Sequence, residues 1–261
     1  MLMSTMPWRT FLLMFLAAAA PGLSQTAQPV QPNAAGMSFL HIHLIVRNTD
    51  AQRSFWVALM GETPPAGGRG LRVGGASVSI QQGESNGGSD GTAIDHVAFR
   101  VKSLKETLAR AEAAGGKRSS AAPNSTFVTA PEGVKVELIE DASLTSPIVQ
   151  DHVHLASRSA VEAQRWYAKT LGAVPNPAGP GWVIPGVVLQ ISEAQAAAPT
   201  KGRALDHIAF TSANVDDFCK RLTGMGIAWE PITKVGGGAR GYTMVQDPWG
   251  VYIEFMGPLT P

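Results

Sequence analysis

One cysteine, Cys219, occurs in the whole chain, so no internal disulfide can form and stability must come from the core. It falls in "NVDDFCKRLTGMG", which reads as a helix, and a small buried apolar side chain is the expected role. Charge of either sign is equally scarce. Charged residues make up 16% of the chain, with Lys+Arg 21 against Asp+Glu 20, which leaves no basic stripe for nucleic acid or an anionic membrane. Long apolar runs are missing too. The ten-residue run "FLLMFLAAAA" is too short to span a bilayer comfortably.

That run follows "MLMSTMPWR", with its single positive charge, and precedes the small residues of "PGLSQTAQ". The order is that of a secretory signal peptide, expected over residues 1–24 with cleavage after Ser24, an uncleaved anchor being the alternative. No cysteine follows the run to carry a lipid. The expectation is a soluble periplasmic or secreted protein, with no stable membrane insertion once the signal is removed. An apolar content of 44% is enough for a true core.

Histidine is also scarce, and its placement is ordered. The six histidines lie in "LHIHLI", "IDHVAF", "DHVHLA" and "LDHIAF". A shift of 111 residues carries His41 onto His152, His96 onto His207 and Gly61 onto Gly172. A shift of 55 carries His41 onto His96 and His152 onto His207. The chain is therefore a repeat of a repeat. In each unit a strand starts at the histidine and a helical segment follows, as in "SLKETLARAEAAGG", where Leu104, Leu108 and Ala111 share a face. Short β-prone runs broken by Gly, Pro and Asn complete it. The predicted class is α+β: four βαβββ modules, with a linker over 25–36, one half over 37–141, a second linker over 142–149 and the other half over 150–258.

Units two and four end in matching hairpins, "TAPEGVKVELIE" and "QDPWGVYIEFMG", which place Glu137 and Glu254 at the same point of a strand between apolar neighbours. A carboxylate turned inward there needs a partner. Each half thus offers two histidines and an acid: His41, His96 and Glu137, then His152, His207 and Glu254. Such a set suits Fe, Mn, Zn, Ni or Co and leaves coordination positions open. Overlaying the last strands puts Gln190 and Ser79 at the position of Glu254, Gln190 being the better oxygen donor. His43 and His154 lie two residues after a candidate ligand and share its face, which suits substrate binding or acid–base work. Arg100 shares the face of His96 and is a candidate for an anionic substrate group. The stretch "KVGGGARGY" is either a lid or a plain hairpin loop.

Four such modules, with "DH" opening a first strand and "DPxGxxxE" closing the last, resemble the vicinal oxygen chelate superfamily of glyoxalases, extradiol dioxygenases and bleomycin-resistance proteins. The resemblance covers about 37–258. It implies two half-open β-barrel, glyoxalase-like domains and a divalent metal held by His, His and Glu. It also implies a small substrate chelated through adjacent oxygens, in glyoxalase- or lyase-like or dioxygenase-like chemistry. On this reading the C-terminal set His152, His207, Glu254 and Gln190 is the first choice, with His154 and Glu254 as catalytic groups. The set His41, His96, Glu137 is the second, and His43, Arg100 and Tyr242 are substrate candidates. Two departures stand out: module four holds no further histidine, and Ser79 and Gln190 replace the glyoxalases' additional Glu. The competing class is a non-catalytic binding protein that sequesters a small molecule.

Overall fold

The computed structural model of the protein describes residues 30–61 and 70–260, so the expected signal peptide lies outside the described residues. In chain order the elements are β1 (Met37–Val46), α1 (Thr49–Met60), β2 (Gly70–Val73), β3 (Ala76–Gln82), β4 (Ile94–Val101), α2 (Leu104–Ala113), β5 (Lys117–Ala122), β6 (Ser125–Thr129) and β7 (Lys135–Glu140). The second half continues with β8 (Ile148–Ser157), α3 (Ala160–Leu171), β9 (Val174–Pro175), β10 (Trp182–Ile184), β11 (Val187–Glu193), β12 (Leu205–Ser212), α4 (Val215–Gly224), β13 (Thr233–Val235), β14 (Arg240–Gln246) and β15 (Tyr252–Pro258).

Local chemistry explains why the repeat folds the same way four times. Each module's first strand is followed after two residues by a helix. The residue before the helix is Asn48, Ser103, Ser159 or Asn214, and its side chain accepts a backbone N–H from Ala51, Glu106, Glu162 or Asp217. Each such cap contributes about 1 kcal/mol. Gly61 and Gly172, the pair matched by the repeat, end α1 and α3 in the left-handed region at φ 70°. A side chain there would be strained, so the helix stop is written by glycine.

The first strands alternate. Ile42, Leu44 and Val46 of β1 are buried on one face, and His41 and His43 occupy the other. In β8, Val153 and Leu155 face the core while His152 and His154 share the opposite side. Phe55, Trp56 and Leu59 of α1, Tyr167 and Leu171 of α3 and Phe218 and Leu222 of α4 belong to the same continuous core. Each fully buried side chain of this size contributes about 1.5–3 kcal/mol. Cys219 lies buried on α4, as its sequence context suggested.

Two mixed sheets result. One has seven strands in the order β13-β14-β15-β12-β1-β3-β2, the other eight in the order β5-β6-β7-β4-β8-β11-β10-β9. At the middle of each sheet two first strands meet antiparallel, β1 with β12 and β4 with β8. Module one therefore pairs with module four, and module two with module three. The halves 37–141 and 150–258 describe the repeat along the chain, while each sheet draws one module from each half. The cause lies in the connection from β7 to β8. It carries the chain across β4 to its far edge, which fills that edge with β8 and leaves β1 and β12 to pair with each other. The glycine-rich stretch is a hairpin turn between β13 and β14, with Gly236, Gly237 and Gly238 all at positive φ.

Candidate metal centres and the cavity above one of them

The seam between β1 and β12 sets His41 opposite Ala209 and His43 opposite His207. The next strand sets Glu254 beside Ala209. Glu254, Ala209 and His41 thus form one row across three strands. The small middle residue lets the carboxylate reach over it, to 3.7 Å from His41 Nε2. His207 Nε2 lies 3.1 Å from the same oxygen, Oε2, and His43 Nδ1 lies 3.2 Å from His41 Nε2. The rings of His43 and His207 stack at 4.3 Å. Donor atoms of His41, His43, His207 and Glu254 all fall within 4.8 Å of one another.

The seam between β4 and β8 repeats the arrangement. Glu137, Ala98 and His152 form the row. Glu137 Oε2 lies 3.5 Å from His96 Nε2 and 3.8 Å from His152 Nε2. His154 stacks on His96 at 4.6 Å, and its Nε2 is hydrogen-bonded to the Ser192 hydroxyl at 2.8 Å. Donor atoms of His96, His152 and His154 again fall within 4.8 Å.

Three of the histidines are held by the aspartate that precedes them. Asp95, Asp151 and Asp206 bond the Nδ1 of His96, His152 and His207 at 2.7, 2.7 and 2.6 Å. A carboxylate on Nδ1 fixes the ring and its tautomer and aims Nε2 at the cluster. Leu40 precedes His41, so that ring lacks the device. A cavity of about 940 Å³ opens on the first cluster, lined by His41, His43, Ser79, Glu254 and Tyr242 together with Asp50 and Arg53 of α1.

Residues 149–255 match the Glyoxalase/Bleomycin resistance protein/Dioxygenase superfamily. The matched segment runs from β8 to the middle of β15, the second half of the chain. Among solved structures, glyoxalase I from Zea mays superposes with a TM-score of 0.65 at 15% identity, over 85% of this chain and 92% of that one. Its V278E variant gives 0.64 at 17% identity, with the same coverage. A putative dioxygenase from Bacillus subtilis gives 0.55 at 14%, over 84% of each chain. At these identities the likeness is one of fold. A search of curated proteins finds no sequence match.

The residues present fit a divalent metal, the group that the resemblance to this superfamily implies. His96 Nε2, His152 Nε2 and Glu254 Oε1 are buried without a hydrogen-bond partner, an arrangement that is costly unless another group satisfies them. Imidazoles and a carboxylate converging from separate strands form the donor set of a transition metal. Burial, reinforced by neighbouring imidazoles, pushes His43 and His154 down to about 4; burial and His207 do the same to His41 against the pull of Glu254. These rings are neutral, the form that binds metal. His207 and His96 move the other way: burial lowers them, but the bonds to Asp206 and Glu254, and to Asp95 and Glu137, outweigh it. Glu254 is held below the usual carboxylate range because His207 and His41 outweigh its own burial; the bond from His96 does the same for Glu137.

Several sequence expectations are corrected. The sets His152–His207–Glu254 and His41–His96–Glu137 do not assemble; His41 joins His207 and Glu254, and His96 joins His152 and Glu137. The reason is the pairing of modules one with four and two with three. His154 and Gln190, placed beside His207 by the sequence reading, lie at the other cluster, with Gln190 opposite His154. Arg100 is not among the residues that line the cavity on the first cluster. It is ion-paired to Asp141 at 3.0 Å and Asp151 at 3.1 Å, and so braces the aspartate that holds His152. His43 and Tyr242 do line the cavity. Sequence reasoning missed the three aspartates, though "DH" recurs three times. It also missed Asp50 and Arg53, which only the packing of α1 brings to the cavity.

Proposed function

We propose that this protein is an exported metal-dependent enzyme that acts on a small, oxygen-rich substrate at the β1/β12 cluster. His41, His207 and Glu254 hold the metal, which is Fe, Mn, Zn, Ni or Co. The observation that carries the reading is the coincidence of a converging donor set with a polar cavity of about 940 Å³ on the same face. When bound, a divalent metal supplies Lewis-acid chemistry that polarises adjacent oxygens of a substrate. The chain's own groups do the rest. Glu254 directs Oε2 at the His207 and His41 imidazoles and sets the negative charge of the donor set. Arg53 contributes the fixed positive charge of the cavity wall, and Tyr242 and Gln81 contribute hydrogen-bonding groups. Glyoxalase- or lyase-like and dioxygenase-like reactions use the same parts.

A binder of planar apolar compounds is disfavoured, because Ile80 and Met256 are the aliphatic lining residues among mostly polar ones. The test is metal analysis of the untagged full chain, followed by trials of vicinal-dioxygen probes such as catechol. Stoichiometric metal that falls when His207 is replaced by Ala supports the enzyme reading; sub-stoichiometric metal unchanged by His207→Ala overturns it. Export rests on the segment 1–24, and the N-terminal sequence of the mature protein tests it. A chain that retains residue 1 would refute cleavage.

A further inference from the structure

Each cluster contains two rows of side chains, and their difference identifies a ligand. In the first row the middle residue is alanine: Glu254–Ala209–His41 in one sheet and Glu137–Ala98–His152 in the other. The acid reaches over the alanine. The second row runs from the opposite side of the same seam. It reads Ser79–His43–His207 in one sheet and Gln190–His154–His96 in the other. The seam relates the rows by an approximate two-fold, so residues 79 and 190 occupy the place of the acid and residues 43 and 154 the place of the alanine.

We infer that His43 and His154 are metal ligands, each supplying the fourth donor from the middle of the second row. This rests on the metal-dependent reading above. A ring in the middle position blocks the reach that an outer acid would need, and the outer residues have changed accordingly to a short hydroxyl and a neutral amide. The ring itself then stands where the outer carboxylate would have arrived. Distances agree. His43 Nδ1 is 3.2 Å from His41 Nε2. Two nitrogens that each bind one ion at about 2.1 Å lie roughly 3.0–3.4 Å apart. The other copy shows how the donor atom is chosen. Ser192 takes His154 Nε2, which leaves Nδ1 as the donor, the same atom that His43 turns toward His41. Each site is then three histidines and one carboxylate, and neither Ser79 nor Gln190 is a ligand.

The experiment titrates Co(II) into the metal-free full chain against a chelator and follows the visible absorption of the bound ion. Wild type should take up two Co(II). His43→Ala should weaken one of them by more than the ~10–100-fold typical of losing a group outside the coordination shell, and His154→Ala should weaken the other. Adding Ser79→Glu to His43→Ala rebuilds an acid reaching over an alanine, so it should restore most of the lost affinity. His43→Gln, which keeps volume and a neutral donor, covers the case in which the alanine variant does not fold, and should show an intermediate loss with an altered absorption band. If wild type binds no Co(II), the metal-dependent reading itself fails. If wild type binds two and the His43 and His154 variants bind within twofold of it, the histidines only pack or hydrogen-bond, and this inference alone is overturned.

Discussion

The two clusters are copies on one scaffold, and what surrounds them differs. At the β4/β8 cluster both Asp95 and Asp151 hold histidines of the candidate donor set. They are themselves tied down, Asp95 by Lys135 at 2.9 Å and Asp151 by Arg100 at 3.1 Å. One feature is shared: Phe127 lies edge-on to His96 at 5.0 Å with Lys135 over its ring, and Tyr252 lies edge-on to His207 at 6.0 Å with Lys201 over its ring. At the β1/β12 cluster Asp206 serves His207, Leu40 stands where an aspartate would precede His41, and a wide cavity opens alongside. Fixed ligands in a braced shell favour a metal that stays; a less braced ligand beside open volume favours exchange with substrate. On the proposed function, the cavity-side centre is the one expected to turn over substrate, and the β4/β8 centre the one expected to keep its ion.

The most severe way to break this comparison is to remove one equivalent ligand at a time. His207→Ala should abolish turnover of any substrate found, by on the order of 10³-fold or more, because it removes a ligand and leaves Glu254 uncompensated. His96→Ala should leave turnover within a few-fold while metal content drops by one ion and the melting temperature falls. Loss of turnover in both variants, to the same degree, would show that the centres do not divide the work. A smaller effect comes from the shell. Asp206→Asn should weaken the ion at the cavity by ~10–100-fold, and Asp151→Asn the other ion, as read by chelator competition. Equal effects of either variant on both ions would show that the two shells do not act separately.

Much of the site was legible in the sequence, and the reason is geometric. Alternation in a strand puts residues i and i+2 on one face, so "HIH" and "HVH" identified His41 with His43 and His152 with His154 as neighbours in space. Repetition turned single histidines into a pattern, and the acids on the last strands completed it. The partner of each ligand was not legible. Four look-alike first strands were hard to sort into pairs, since each alternates in the same way and each runs into a helix capped by a short polar side chain. The choice is made by how connections cross the sheet, as when the segment after β7 passes over β4 to place β8. Arg100 was misleading for a related reason. Its position on the face of His96 was correct, but only tertiary contact shows Asp141 and Asp151 waiting for it.

The metal-free protein should lose stability as pH falls. His41, His43 and His154 have folded values near 4, below the ordinary 6.5, so the unfolded chain takes up more protons between those limits. Their contribution is present above about 6.5 and is lost on descent toward 4. His207 and His96 are raised, so their contribution is complete below 6.5 and opposes the loss. Three strongly lowered groups outweigh two raised ones, and the unfolding free energy should drop by at least ~1 kcal/mol between pH 7 and 5. Thermal melts of metal-free protein across that range check it; a flat or rising profile would show that the five rings do not carry these shifts. Metal should steepen the dependence, because protons then compete with the ion for the same nitrogens.

The smallest effect separates bracing from binding. Arg100 is partly exposed and acts on the β4/β8 cluster through Asp151, without touching a donor atom. Arg100→Ala should cost less than ~1 kcal/mol of stability, the range of a partly exposed ion pair. It should weaken the ion at that cluster by less than Asp151→Asn does, because the aspartate remains in place to hold His152 Nδ1. Turnover at the cavity should not change at all. A substrate-binding Arg100 would give the reverse, a raised KM with intact metal affinity. Measuring KM beside Co(II) affinity in the one variant therefore decides whether the centre with the braced shell takes any part in binding substrate.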